Sequence, residues 1–507
     1  MKTKYLVIGA GISGLTFANY AKEDYLVVEK EKEVGGYCRT IKRNGYVWDY
    51  AGHFFHFNTD EFKKNFLSKM PKEDIIYNDK CTKILYKNNF IDFPFQTNIH
   101  QLEKQEFIDC LYDLFNKEEK DKYDNFLDML YGKFGKSIVE KFLKPYNEKL
   151  YAVDLTKLDV DAMGRFFPYA DKEAIIKNMK NKEVNSYNSS FLYPKNGAGS
   201  FINILYQELD KEKVLLKTEV ISIDLENKIA KLSNGEEIKY EYLINTMPLN
   251  KFLSLIGNHE ELLNEMSYNK VLVFNLGFDK PSPLCKKEHW LYIPSKDCNY
   301  YRIGFYNNIL KKDKLSMYVE IGYNKDDNIT EDDINKQLEL TLKNLKASNI
   351  IDDNMKLVDY VSIIMDPAYV HINTKTTKKI DSLKKQITST FIRTQNLITT
   401  SYFDKAFLAI NDLESVENYR RKLYNFKDYL GATDGYTFFN DYYVDKMMDL
   451  EDKYNLLENN ASVTSASMYL VKKKTSRIMA FFRYIKSLFI HNSLKNKDFE
   501  NENDFNK

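Results

Sequence analysis

The stretch KYLVIGAGISGLTFANYAKEDYLVVEK, Lys4 to Lys30, constrains the fold more than any other part of the chain. An apolar run enters Gly9-Ala10-Gly11-Ile12-Ser13-Gly14, a helical pattern follows, and a second apolar run ends at Glu29. In this βαβ setting a G-x-G-x-x-G loop has a physical reading. Gly9 permits a tight turn, Gly11 lets a pyrophosphate approach the backbone, and Gly14 lets the helix pack on the sheet. Ile12 and Ser13 then place the first N–H groups of the helix against the phosphates. Glu29, followed by Lys30, is placed to accept hydrogen bonds from a ribose diol, and its charge would repel a 2′-phosphate. The loop alone fits NAD and FAD equally.

The next block carries a second glycine pair and an arginine, EVGGYCRT, and then NGYVWDYAGHFFHF. Here the sequence resembles the flavoproteins of the amine oxidase, protoporphyrinogen oxidase and UDP-galactopyranose mutase superfamily. The resemblance implies FAD, with Gly35, Gly36 and Arg39 at its phosphates and Gly52 and His53 at the isoalloxazine ring. It further implies that Val220, in KVLLKTEVISID, brings its backbone to the adenine. With SSFLYPKNGAGSFINIL, the order of blocks is similar to a bacterial branch related to UDP-galactopyranose mutase, found among surface-polysaccharide enzymes.

Composition narrows the class. The 507 residues are 43% apolar, enough for a substantial core in two or three domains. Net charge is +1, so no global field draws the chain to nucleic acid or membrane. Five cysteines lack CxxC spacing, which argues against a metal site or disulfide framework and for a reducing cytoplasm. Met1 to Ala21 mimics a short signal peptide, but its three glycines and the strand that follows fit a nucleotide-binding unit better. No run reaches the roughly 18 to 20 apolar residues of a membrane span. Only nine of the 74 basic residues are arginine, so each arginine is informative.

The expected fold is α/β: a discontinuous Rossmann-like FAD-binding domain (1–75, 190–250 and 390–445) of the GR2 flavoprotein type, with a mainly helical insertion at 76–189 that ends one helix at Pro145. An antiparallel-sheet, substrate-side domain covers 251–389. Asn234-Gly235 marks a hairpin returning to the first domain. In the second sheet Arg302 stands among aromatics in NYYRIGFY. In the mutases an arginine in a similar strand grips the substrate diphosphate, which implies substrate roles for Arg302 and Tyr301, with Arg165 a second candidate. The plainer account of Arg302 is a sheet cap or a ring stack.

The resemblance implies a closing Gly-Arg turn, yet Thr400-Ser401 stand at one matching place and Gly431 and Gly435 lack an arginine at the other. Residues 446–490 read as a helical extension. Within it 472–490 is basic and amphipathic, suited to docking on its own protein or to lying at the inner face of a membrane. Residues 491–507 read as a disordered tail.

Three functions fit. The first is a flavoenzyme acting on a nucleotide sugar through reduced flavin, with His53 and Arg302 at the chemistry. The second is an oxidoreductase acting on an amine or an apolar substrate, and the third is an FAD-binding protein without activity.

Overall fold

The computed structural model describes residues 1–21, 24–57, 60–162, 172–180, 190–373, 376 and 378–380, with the short strands Thr390–Phe391 and Phe407–Ile410. Arg165, Thr400-Ser401, Gly431, Gly435 and everything after 410 lie outside the described residues.

The strand Lys2–Ile8 is the centre of the first sheet. It pairs in parallel with Tyr25–Val28 on one side and Glu237–Asn245 on the other, so that Ile8 faces both Val28 and Asn245. Val214–Leu215 extends the parallel set, and Val220–Asp224 with Ile229–Leu232 adds an antiparallel edge. Strands buried on both faces read as continuous apolar runs, which is why YLVI and YLVV stand out. The Asn234-Gly235 turn forms as expected, with Gly235 at φ +86° and its N–H bonded to Leu232 O. Phe407–Ile410 lies antiparallel to Tyr242–Asn245, so part of the 390–445 stretch joins this sheet.

The second sheet runs Leu357–Met365, Ser267–Phe278, Ser316–Asn324, Arg302–Phe305, Trp290–Tyr292, Thr82–Tyr86, Asn89–Asp92. All neighbours are antiparallel except Trp290–Tyr292 with Thr82–Tyr86. Residues 82–92 therefore belong to the second sheet, and Ile75–Asp79 pairs with Ser190–Pro194. Within the 76–189 stretch the α-helices begin only at Lys104–Phe115. Their core includes Phe126, Leu130, Phe134 and Ile138, with Phe95 stacked on Phe142 at 5.1 Å.

Pro145 does not end a helix. It lies in the first turn of Lys144–Tyr151, where a missing N–H is tolerated, and the chain enters that turn through a π-helical stretch at Val139–Leu143.

Candidate active site

The glycine loop is shaped by what surrounds each missing side chain. A Cβ on Gly14 would lie 1.9 Å from Gly9 O, so the helix Ile12–Ala21 can seat on the loop only with glycine there. Gly9 takes φ +101°, its N–H bonds Val28 O at 2.8 Å, and a Cβ would strike Thr246 Oγ1. Gly11 differs from both: nothing lies within 4 Å of its Cβ position. That open backbone at a helix N-terminus fits a diphosphate.

Gly35 and Gly36 close the cradle. Gly35 N–H bonds Ala10 O at 2.8 Å, Gly35 bridges Gly11, and both glycines have positive φ. Arg39 curls back to donate from Nε to Gly36 O at 2.8 Å and lies over the Tyr50 ring at 4.5 Å. Its guanidinium is 3.6 Å from Glu31 and 3.5 Å from Glu33, so it lies beside the loop and is shared with two half-exposed acids. Glu29 is buried, and its carboxylate accepts from Ala10 N at 2.7 Å and Glu31 N at 2.9 Å. It therefore braces the loop, with lone pairs left for a ribose. Lys30 is exposed. The 217–218 backbone donates to Glu31 O and Glu29 O, and this leads directly to buried Val220 beside the same edge.

Asp49, which sequence reasoning did not single out, fixes the entry to the Gly-His turn. Its buried carboxyl accepts from Thr40 Oγ1 and Tyr193 Oη, each at 2.6 Å, and from Ala198 N at 3.1 Å. Burial pushes its pKa up to about 7 against the pull of those three donors.

Three residues on lies Gly52, where a Cβ would meet Phe54 and the Tyr318 hydroxyl at 2.5 Å. His53 is 4% exposed and bonds Ala51 O through Nδ1 at 2.9 Å. A carbonyl can only accept, so Nδ1 carries the proton and Nε2 keeps its lone pair. Burial, opposed by that bond and aided by the charge of Arg302, lowers the imidazole pKa to about 4.

The second sheet supplies the other wall. Strand alternation and register put Trp290, Tyr292, Arg302, Gly304, Tyr318 and Glu320 on one face. Gly304 exists because the Tyr318 ring occupies the space of its Cβ, at 2.0 Å.

Arg302 is gripped in a two-pronged ion pair by Glu320, one prong at 2.7 Å, and also donates to Tyr369 Oη at 3.3 Å. Sequence reasoning named Arg302 a substrate candidate and did not anticipate this partner. Residues 18 apart become cross-strand partners, and the buried carboxylate cancels the charge. Tyr301 is corrected: it is fully buried against Tyr146, 6.1 Å between ring centres, with no surface to offer a substrate. The tyrosines 292, 318 and 369 around the pair, Lys80 and His56 were missed by sequence reasoning. Only strand alternation in HWLY and SMYVE could have flagged any of them.

Comparisons agree with this geometry. Residues 7–68 match the family described as NAD(P)-binding Rossmann-like domain. A protoporphyrinogen oxidase of Dictyostelium discoideum is 24% identical over 302 residues, 51% of this chain and 54% of that protein. The chain thus matches about half the length of this curated relative. Reduced UDP-galactopyranose mutase superposes with a TM-score of 0.70 at 22% identity, over 76% of this chain and 87% of the mutase. A protein of Exiguobacterium sp. 255-15 assigned as a protoporphyrinogen oxidase gives 0.59 at 16% identity, over 76% and 92%. Residues 7–68 thus carry an NAD(P)-binding Rossmann-like domain by family match, and the chain shares its fold with reduced UDP-galactopyranose mutase and with the Exiguobacterium protein.

Proposed function

We propose that the chain is an FAD-dependent enzyme that acts on a nucleotide sugar in the manner of UDP-galactopyranose mutase, in the synthesis of a cell-surface polysaccharide. The observation that carries this is the meeting of the Gly52–His53 turn with the Arg302 face: Tyr318 fills the space beside Gly52, and the Arg302 charge is felt at His53. FAD would be held by the Gly9–Gly14 loop, Glu29, Gly35, Gly36 and Arg39, its ring end toward Gly52. When bound it supplies a ring nitrogen able to form and release a bond at carbon, or to take a hydride.

The protein's own work is positional and electrostatic. Neutral His53 presents an acceptor without adding charge. The aromatic face excludes water and raises the strength of every polar contact beside it. Arg302 offers N–H groups to a leaving diphosphate while Glu320 fixes its orientation.

The same ion pair favours a second reading. With its charge matched by Glu320, Arg302 adds no net charge of its own to a face lined by tyrosines, which suits an oxidoreductase acting on an amine or an apolar substrate. Chromatography of UDP-hexoses with the dithionite-reduced and the oxidised protein separates the two. Isomerised sugar from the reduced form alone supports the mutase reading. Oxygen uptake on amines without sugar turnover supports the second, and a colourless protein that takes up no FAD defeats both.

A further inference from the structure

The second wall of the site contains a cation that no acid among the described residues neutralises. Lys80 stands between Ile75–Asp79 and Thr82–Tyr86, half-buried, and among the described residues its ammonium forms no hydrogen bond and no ion pair. It lies over two rings, 5.6 Å from the centre of Phe93 and 5.9 Å from that of Trp290. Other partly buried lysines here are answered by oxygen. Lys149 donates to Ile293 O and Ser295 O, and Lys83 pairs with Asp92. An ammonium has three donors and is strongly hydrated, so removing water from it without supplying an acceptor is costly. Two ring faces return part of that loss, but they satisfy no N–H. Burial lowers its pKa, and its charge in turn disfavours protonation of His56.

Its place is as informative as its isolation. Trp290 and Tyr292 share the face that carries Arg302, the Phe93 ring is 4.9 Å from the Tyr292 ring, and Trp290 is 4.6 Å from Phe54, the residue after His53. Lys80 thus overlooks the same pocket from the edge where Thr82–Tyr86 meets Trp290–Tyr292. Arg302 has Glu320 and Arg39 has Glu31 and Glu33, which leaves Lys80 as the member of this set without an acid.

We propose that Lys80 is a substrate-binding residue that takes a phosphoryl oxygen of the substrate, with the half-buried Phe93 beneath it as the surface for the adjoining ring and buried Trp290 as its support. This deepens the nucleotide-sugar reading and rests on it for the identity of the ring-bearing group. It assigns the net attraction for the diphosphate to Lys80 and leaves Arg302 to orient it.

Equilibrium dialysis of the FAD-loaded protein against UDP and against inorganic pyrophosphate tests this, with Lys80→Met and Lys80→Arg compared to wild type. Lys80→Met should weaken both ligands by about tenfold or more, with Lys80→Arg close to wild type. Equal FAD content and equal thermal midpoints in the three proteins show that the fold is intact. If Lys80→Met binds UDP as tightly as wild type, the assignment of Lys80 is overturned while the nucleotide reading stands. If wild type binds pyrophosphate but not UDP, and Lys80→Met loses it, Lys80 is an anion site and the nucleotide reading falls. If wild type binds neither, the assignment of Lys80 is overturned.

Discussion

Five buried or half-buried groups set how single residues respond to pH. His53, His56, His289 and His371 all have pKa values lowered to about 4, burial being the largest cause in each. In the unfolded chain a histidine takes up its proton near pH 6.5. Between about pH 6.5 and 4 the unfolded state therefore binds up to four protons that the folded state refuses, and stability falls as pH falls. Asp49 acts in the opposite sense. With a folded pKa of about 7 it keeps a proton that the unfolded carboxylate gives up, so its contribution is lost as pH rises toward 7. Four protons against one leave the histidines dominant, each worth about 1.4 kcal/mol per pH unit inside the window. The thermal midpoint should drop steadily from pH 6.5 to 4.5. A midpoint unchanged across that range would show that these imidazoles titrate normally. The same low pKa keeps His53 neutral at physiological pH, so the site's pH profile should carry no histidine limb.

At the scale of elements the glycine loop and the sheet face are two halves of one design. In the loop, Gly14 and Gly11 have different reasons to be glycine, and the difference can be measured. Gly14→Ala forces a Cβ to within 1.9 Å of Gly9 O, so the helix must shift and the domain loses stability, by about 1–3 kcal/mol for overpacking of this kind. Gly11→Ala meets no protein atom within 4 Å, so its thermal midpoint without cofactor should match wild type, while retained FAD should fall sharply. Full FAD content in Gly11→Ala would mean that the cofactor phosphates do not pass over that residue.

Across the whole molecule, local chemistry was legible and cross-chain partnership was not. The βαβ unit could be read because the strand, the glycines, the helix and Glu29 fall within 30 consecutive residues, and the hairpin at Asn234-Gly235 because a glycine-bearing turn between two alternating runs signals itself, although the loop that forms has three residues, Ser233 to Gly235. The position of Arg302 was legible from its aromatic setting, but its pairing with Glu320 depends on register between strands, which no local pattern encodes. Tyr301 failed for a related reason: beside a strand start, one residue's shift turns a side chain from pocket to core. Asp49 gave no sign because two of its donors, Tyr193 and Ala198, come from a stretch 144 and 149 residues further along the chain. Lys80 was hidden among lysines, and only the structure shows it half-buried over two rings with no oxygen partner among the described residues.

The proposed chemistry requires FAD on the Gly9–Gly14 loop of the first sheet. Its most direct test is to release the small molecule from natively purified protein by denaturation and to identify and quantify it by mass spectrometry. FAD at about one per chain is the predicted result, given a single Gly9–Gly14 cradle among the described residues. NAD or NADP in its place, or a chain that neither carries nor takes up FAD, would contradict the account.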